Sequence, residues 1–129
     1  MDKLTYVIDG ATFSTLDGFY DAISTVLIPG VYWGRNPDAF DDILGGGFGT
    51  PEAGFVLVWK NSDLSRACLG YPETVRYLEQ RVRKCHPSNV PRVREELARA
   101  KQGEGATLFD WLVQIIEDNA AWGVELRLE

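Results

Sequence analysis

Apolar positions change period several times along the chain, and each change marks an element. Leu4-Thr5-Tyr6-Val7-Ile8 is a short β-prone run closed by the turn signal Asp9-Gly10. Leu16, Phe19, Tyr20, Ile23 and Leu27 then recur at helical spacing, which predicts an amphipathic helix over residues 15–27. Ser14, with Asp17 three residues on, reads as its N-cap, and Pro29-Gly30 ends it. Phe40, Ile43 and Leu44 share one side of a second helix over 37–44, about two turns long. Asn36 is a good N-cap for it, and Pro37 suits the first helical position, where its missing N–H costs nothing. Gly45-Gly46-Gly47 stops this helix, and Gly54 leads into Phe55-Val56-Leu57-Val58-Trp59. That run is apolar on both alternating faces, the pattern of a strand covered on both sides.

Residues 63–69 allow a further helical turn. Helices are expected from Pro72 to about Cys85 and from Pro91 to Lys101, with His86-Pro87-Ser88-Asn89 as the loop between them. Thr107, with Asp110 three residues on, caps a strongly apolar helix running through Trp122, with Gly123 at its C-cap. Val124–Leu128 reads as the last strand. Helices, never tight hairpins, separate the three strands, and such crossovers favour parallel pairing with right-handed connections. The expected fold class is therefore α/β, a small parallel three-stranded sheet packed by helices. A chain of 129 residues suits one domain and is short for two.

Charge adds an asymmetry to this plan. The net charge is −6, which disfavours nucleic acid as a direct partner and suits a basic protein. Between Pro72 and Gly105 eight Lys/Arg face five Asp/Glu, so that stretch is net positive and the remainder strongly negative. The stretch at about 72–105 reads as a helical insertion in a single domain. No leader of positive and apolar residues and no membrane-length apolar run is evident, so a cytoplasmic location is expected. Cys68 and Cys85 lack metal or redox spacing and are expected as free thiols.

The negative charge concentrates on the two-turn helix. Asp38, Asp41 and Asp42 fall within about 100° of arc, opposite its apolar side. Asp38 complements the helix dipole in the first turn, but that benefit fades within a turn and does not cover Asp41 or Asp42. Glu117 and Asp118 lie near the end of the late helix, where acids oppose the dipole. Two such placements suggest one electronegative surface shaped for a cation-rich partner. Tyr32 and Trp33 precede the acidic helix; aromatics of this kind concentrate at binding hot spots, with Tyr32 the better surface candidate and Trp33 expected on the core.

The block Tyr32-Trp33-Gly34-Arg35-Asn36-Pro37-Asp38-Ala39-Phe40-Asp41-Asp42-Ile43-Leu44 resembles the barstar family, the intracellular inhibitors of barnase-type ribonucleases. The likeness extends over Tyr6–Gly10, Phe55–Trp59 and the final helix, Gly123 and strand. It implies a parallel three-stranded α/β fold, no catalysis and no cofactor. It also implies that the loop and short helix plug a ribonuclease active site, with carboxylates in the place of substrate phosphates. Tyr32 corresponds to the family's contact tyrosine, Asp38 and Asp42 to its two key aspartates, and Asp118 to a glutamate of its late helix. Asp41 stands where the family commonly has a contact tryptophan, and Pro37 where a leucine is familiar. With the residue reading, the candidate partner-binding set is Tyr32, Trp33, Arg35, Asn36, Asp38, Asp41, Asp42, Gly46 and Asp118. The expected partner is a basic extracellular-type ribonuclease or a related toxin, with neither direct nucleic-acid nor membrane contact.

Other chemistries fit less well. Asp38 with Asp42 or Asp118 could form a glycosidase pair, but such pairs flank a deep cleft, which a two-turn helix hardly offers. His86, the only histidine, sits in a Pro/Ser/Asn loop and gives little support to Ser-His or Cys-His catalysis or to zinc. Gly45–Gly49 lacks the Gly-Lys-Ser/Thr ending of a phosphate loop.

Overall fold

The computed structural model describes residues 3–46 and 48–129. Gly47, the third glycine of the expected helix stop, lies outside them. Three strands, β1 (Thr5–Asp9), β2 (Val56–Lys60) and β3 (Glu125–Leu128), form one parallel sheet in the order β1-β2-β3. Six α-helices are present among the described residues: α1 (Leu16–Leu27), α2 (Pro37–Leu44), α3 (Ser62–Cys68), α4 (Tyr71–Lys84), α5 (Val90–Lys101) and α6 (Leu108–Asp118). The α/β class with a parallel three-stranded sheet is thus as expected from the helical crossovers, and most element ends fall within a residue of their expected positions.

The register explains how the sheet divides its side chains. Tyr6 pairs with Leu57, Ile8 with Trp59 and Leu57 with Leu126, and these residues all meet the main core. Alternate residues point the other way. Val56 and Val58 are buried, yet they stay outside the main core and neighbour Thr5, Val7 and Arg127 through the register. Val56–Trp59 are buried on both faces, as their apolar run implies, whereas Val7 of β1, beside Val58, is 42% exposed.

Trp59 sits at the centre. Its ring stacks on Phe19 at 5.1 Å and meets Phe109 at 5.2 Å, and its Nε1–H donates to Ser65 Oγ at 2.9 Å. A buried indole needs such an acceptor. Leu16, Phe19, Tyr20, Ile23 and Leu27 form the buried stripe of α1 expected from their spacing. Gly54 and Gly123 both hold positive φ, +94° and +90°, where the backbones entering β2 and β3 cross. A Cβ on Gly54 would collide with the Gly123 carbonyl, so the crossing requires glycine.

Two expectations need correction. The N-cap of α1 is Thr15, whose Oγ1 accepts the Gly18 N–H at 3.1 Å, not Ser14. The late helix does not run through Trp122. It ends at Asp118, a 3₁₀ turn over Ala120–Trp122 follows, and Gly123 caps that turn. Asn119 causes the break: its backbone carbonyl accepts from Trp122 N–H, while its side-chain amide folds back to the Ile115 carbonyl at 2.9 Å. The segment 86–89 is a loop with one 3₁₀ turn, Pro87–Asn89.

The first turn of α4 completes two other helices. Glu73 is only 8% exposed; its Oε2 accepts the Leu16 N–H at 2.8 Å, at the start of α1. Thr74 Oγ1 accepts the Leu108 N–H at 2.9 Å, at the start of α6. First-turn N–H groups have no partner within their own helix, so α4 supplies what those sequences lack locally. Further along, α4 and α5 close a small second cluster around Leu78, Val93 and Ala100, linked to the main core through Tyr77 and Trp111, whose rings lie 6.2 Å apart.

Candidate functional site

The acidic helix is held from below. Asn36 Oδ1 accepts the Ala39 N–H at 2.9 Å, with Pro37 in the first turn, as their order along the chain implies. Phe40, Ile43 and Leu44 are buried and fix the helix on the core. Asp38, Asp41 and Asp42 then face outward, all three exposed. Among the described residues no Lys or Arg lies within ion-pair distance of any of them. Each like-charge neighbour at this spacing costs a few tenths of a kcal/mol, and nothing on the helix offsets it.

α2 packs against α6, and a side-chain bond joins them just past the end of α6 that carries Glu117 and Asp118. The Asn119 Nδ2–H₂ group donates to Asp41 Oδ1 at 2.7 Å. Asp118, its neighbour in the chain, is exposed and accepts from Gln114 Nε2 at 2.7 Å. Gln114 in turn lines a cleft that also reaches Pro37. Glu117 is exposed as well.

The loop residues separate sharply. Tyr32 is 93% exposed with no side-chain hydrogen bond, a large aromatic surface standing free. Trp33 is 4% exposed; its Nε1–H donates to Ser24 Oγ and its ring meets Tyr20 edge-on at 5.2 Å. Its place is in the core, not on the surface. Arg35 adopts φ +52° and reaches back to α1, donating to the Asp17 carbonyl at 2.9 Å and pairing with Asp21. Its charge is committed to α1. The Asn36 side chain is occupied by capping. Gly46 holds φ +95° just beyond α2, a conformation that favours glycine.

One feature of the surface was not legible as a site. Trp122 is 66% exposed and shares a depression of about 420 Å³ with Asp41, Asp42, Gly45, Phe48 and Asn119. The sequence pattern runs the apolar helix through Trp122; with α6 ending at Asp118, Trp122 lies instead in an exposed 3₁₀ turn. The signal for this was the asparagine itself, a residue that competes for helical backbone groups.

Behind the site, burial foremost, with Tyr77 and the Asp17 carboxylate nearby, pushes the Tyr20 phenol well above its ordinary pKa. Cys68 and Cys85 are free thiols. Among the described residues no group of three or more His, Cys, Asp or Glu is placed to hold a metal, and no helix is long and apolar enough to cross a membrane. The surface offers a set of outward carboxylates, with exposed Trp122 beside Asp41 and Asp42 and exposed Tyr32 in the loop before α2. Such a set accepts charge-assisted hydrogen bonds from guanidinium and ammonium groups.

Among known families, the model described as barstar (barnase inhibitor) matches residues 4–91, more than half of the chain. The matched residues include β1, α1, α2, β2, α3 and α4, and stop short of α6 and β3. No curated protein matches the chain.

Proposed function

This chain belongs to the barstar family, and on that premise we propose that it is a non-catalytic inhibitor that docks α2 into the active site of a basic ribonuclease. The observation that carries the reading is the outward trio Asp38, Asp41 and Asp42, free of ion pairs among the described residues, on a helix clamped to the core. A ribonuclease mouth concentrates cations to hold a phosphodiester. A rigid carboxylate cluster matches that field, steers the encounter and raises the association rate. In the docked state Asp38 and Asp42 accept hydrogen bonds from those cations in a desolvated site, with Asp118 adding charge from α6. Tyr32 packs on the rim, and the body of the inhibitor excludes RNA.

Rigidity supports this role. Phe40, Ile43 and the Asn36 cap fix α2 before any partner arrives, so little ordering entropy remains to be lost on docking. Trp33 and Arg35 act from beneath, by holding the loop that presents Tyr32. Asn36 and Gly46 shape the two ends of α2. We take the stretch at about 72–105 as an insertion within one domain, and a cytoplasmic site of action as the fitting one for an inhibitor of a nuclease harmful to its own cell.

The test is inhibition of barnase-catalysed RNA cleavage by the purified chain. Wild type should inhibit stoichiometrically at low ionic strength, Asp42→Ala should inhibit far more weakly, and salt should slow association steeply. Equal inhibition by Asp42→Ala and wild type would sink the assignment. A second reading is the same docking surface aimed at a basic toxin that is not a ribonuclease; a basic face of α4 and α5 that joins the interface would favour it. It predicts tight binding to a toxin whose activity is not RNA cleavage.

A further inference from the structure

The basic end of α4 stands beside the acidic helix. Asn36, Pro37 and Asp38 form one wall of a groove of about 600 Å³, and Arg81, Lys84 and His86 are among the residues of the other. Arg81, Arg83 and Lys84 occupy the last turn of α4, where cations complement the helix dipole. That accounts for their sign but not for the place of Arg81 and Lys84 across the groove from α2. Among the described residues neither Arg81 nor Lys84 lies within ion-pair distance of a carboxylate, Asp38 included. The groove keeps the two signs apart instead of letting them neutralise each other.

From this we infer that the docking surface has two signs: α2 and α6 present anionic groups, and the end of α4 adds a basic flank at the Asp38 side. The inference rests on the docking mode proposed above and adds the chemistry of the partner. The fitting partner carries carboxylates bordering one side of its cation-lined mouth, opposite Arg81 and Lys84. A nuclease that is cationic on that side as well is repelled by the flank. Like charges brought together across an interface suppress wrong partners and act chiefly on the association rate. The segment from 72 to 105 thereby selects among basic nucleases, while α2 supplies the attraction common to all of them.

Barnase is the probe, and association is followed by stopped-flow fluorescence at low and high ionic strength. Arg81→Glu/Lys84→Glu is compared with Arg94→Glu/Lys101→Glu, which makes the same change of net charge on α5 outside the groove. Lys84→Glu alone, at an exposed position, guards against misfolding of the double variant. The expected result is an association rate that differs at least tenfold between the groove variant and the α5 variant at low ionic strength, slower where the partner faces the flank with carboxylates and faster where it faces it with cations, with the difference lost at high ionic strength. Equal rates for the two double variants overturn the two-signed surface. If wild type still binds barnase through Asp42 in that case, the docking mode survives. If no variant binds barnase, both inferences fall together.

Discussion

The side-chain amide of Asn119 donates to the Asp41 carboxylate at 2.7 Å, and this one bond ties the end of α6 to the exposed face of α2. The same amide also bonds the Ile115 carbonyl, and Asn119 is buried. Asn119→Ala removes both bonds, one of them to a charged group, and should cost about 1–3 kcal/mol in urea unfolding. Asp41→Asn keeps an acceptor and should cost less. Equal stability of Asn119→Ala and wild type would show that the bond does not hold the helices together.

Glu73 gives the fold a pH dependence of known sign. Burial alone would raise its pKa, but the hydrogen bonds from Arg76 and the Leu16 N–H, with the Arg76 charge, more than offset this and hold it below the ordinary 4.5. A carboxyl with a depressed folded pKa stabilises the protein fully above its unfolded value. That contribution disappears as the pH falls through the folded value. Glu73→Gln should therefore be less stable than wild type by about 1–2 kcal/mol at neutral pH, with the gap closing as the pH falls below the ordinary 4.5 and through the depressed folded value. A gap that stays constant down to the acid transition would mean that the Glu73 charge contributes nothing.

Trp122 separates stability from binding. It is largely exposed, so Trp122→Ala should change stability by no more than about 0.5 kcal/mol. It lies beside Asp41 and Asp42, so the same variant should bind a cognate nuclease about tenfold or more weakly. Titration calorimetry on Trp122→Ala, Asp42→Ala and the double variant should show coupling, since the two residues border one depression. Strictly additive effects would place Trp122 outside the interface.

Gly54 tests the crossing that sets β3 against β2. Gly54→Ala places a Cβ at positive φ, which alone costs about 1–2 kcal/mol, and drives it into the Gly123 carbonyl. The loss of stability should exceed the strain of left-handed backbone by itself. Gly49→Ala, also at positive φ but with open space around it, is the comparison and should be milder.

Much of this molecule was legible because its signals are local. The period-two and helical spacings located the strands and helices, since side-chain direction follows from backbone repeat alone. Asn36-Pro37 announced the start of α2, and the placing of Asp38, Asp41 and Asp42 opposite Phe40, Ile43 and Leu44 follows from helix geometry. The cap of α1 was misplaced by one residue, because Ser14 and Thr15 are chemically equivalent caps and only packing chooses between them. The inward turn of Trp33 against Ser24 and Tyr20 depends on a partner nine residues away and on the shape of the core.

By itself, then, the chain order determined an α/β molecule with a parallel sheet and an amphipathic helix whose outer face is anionic. The tertiary structure decided everything that depends on distant residues meeting. It brought Asn119 to Asp41, exposed Trp122 by ending α6 early, used Glu73 and Thr74 to complete α1 and α6, and set the basic end of α4 across a groove from Asp38. Backbone periodicity is written in neighbouring residues, whereas charge juxtaposition and the pairing of buried polar groups arise only when segments tens of residues apart share one surface.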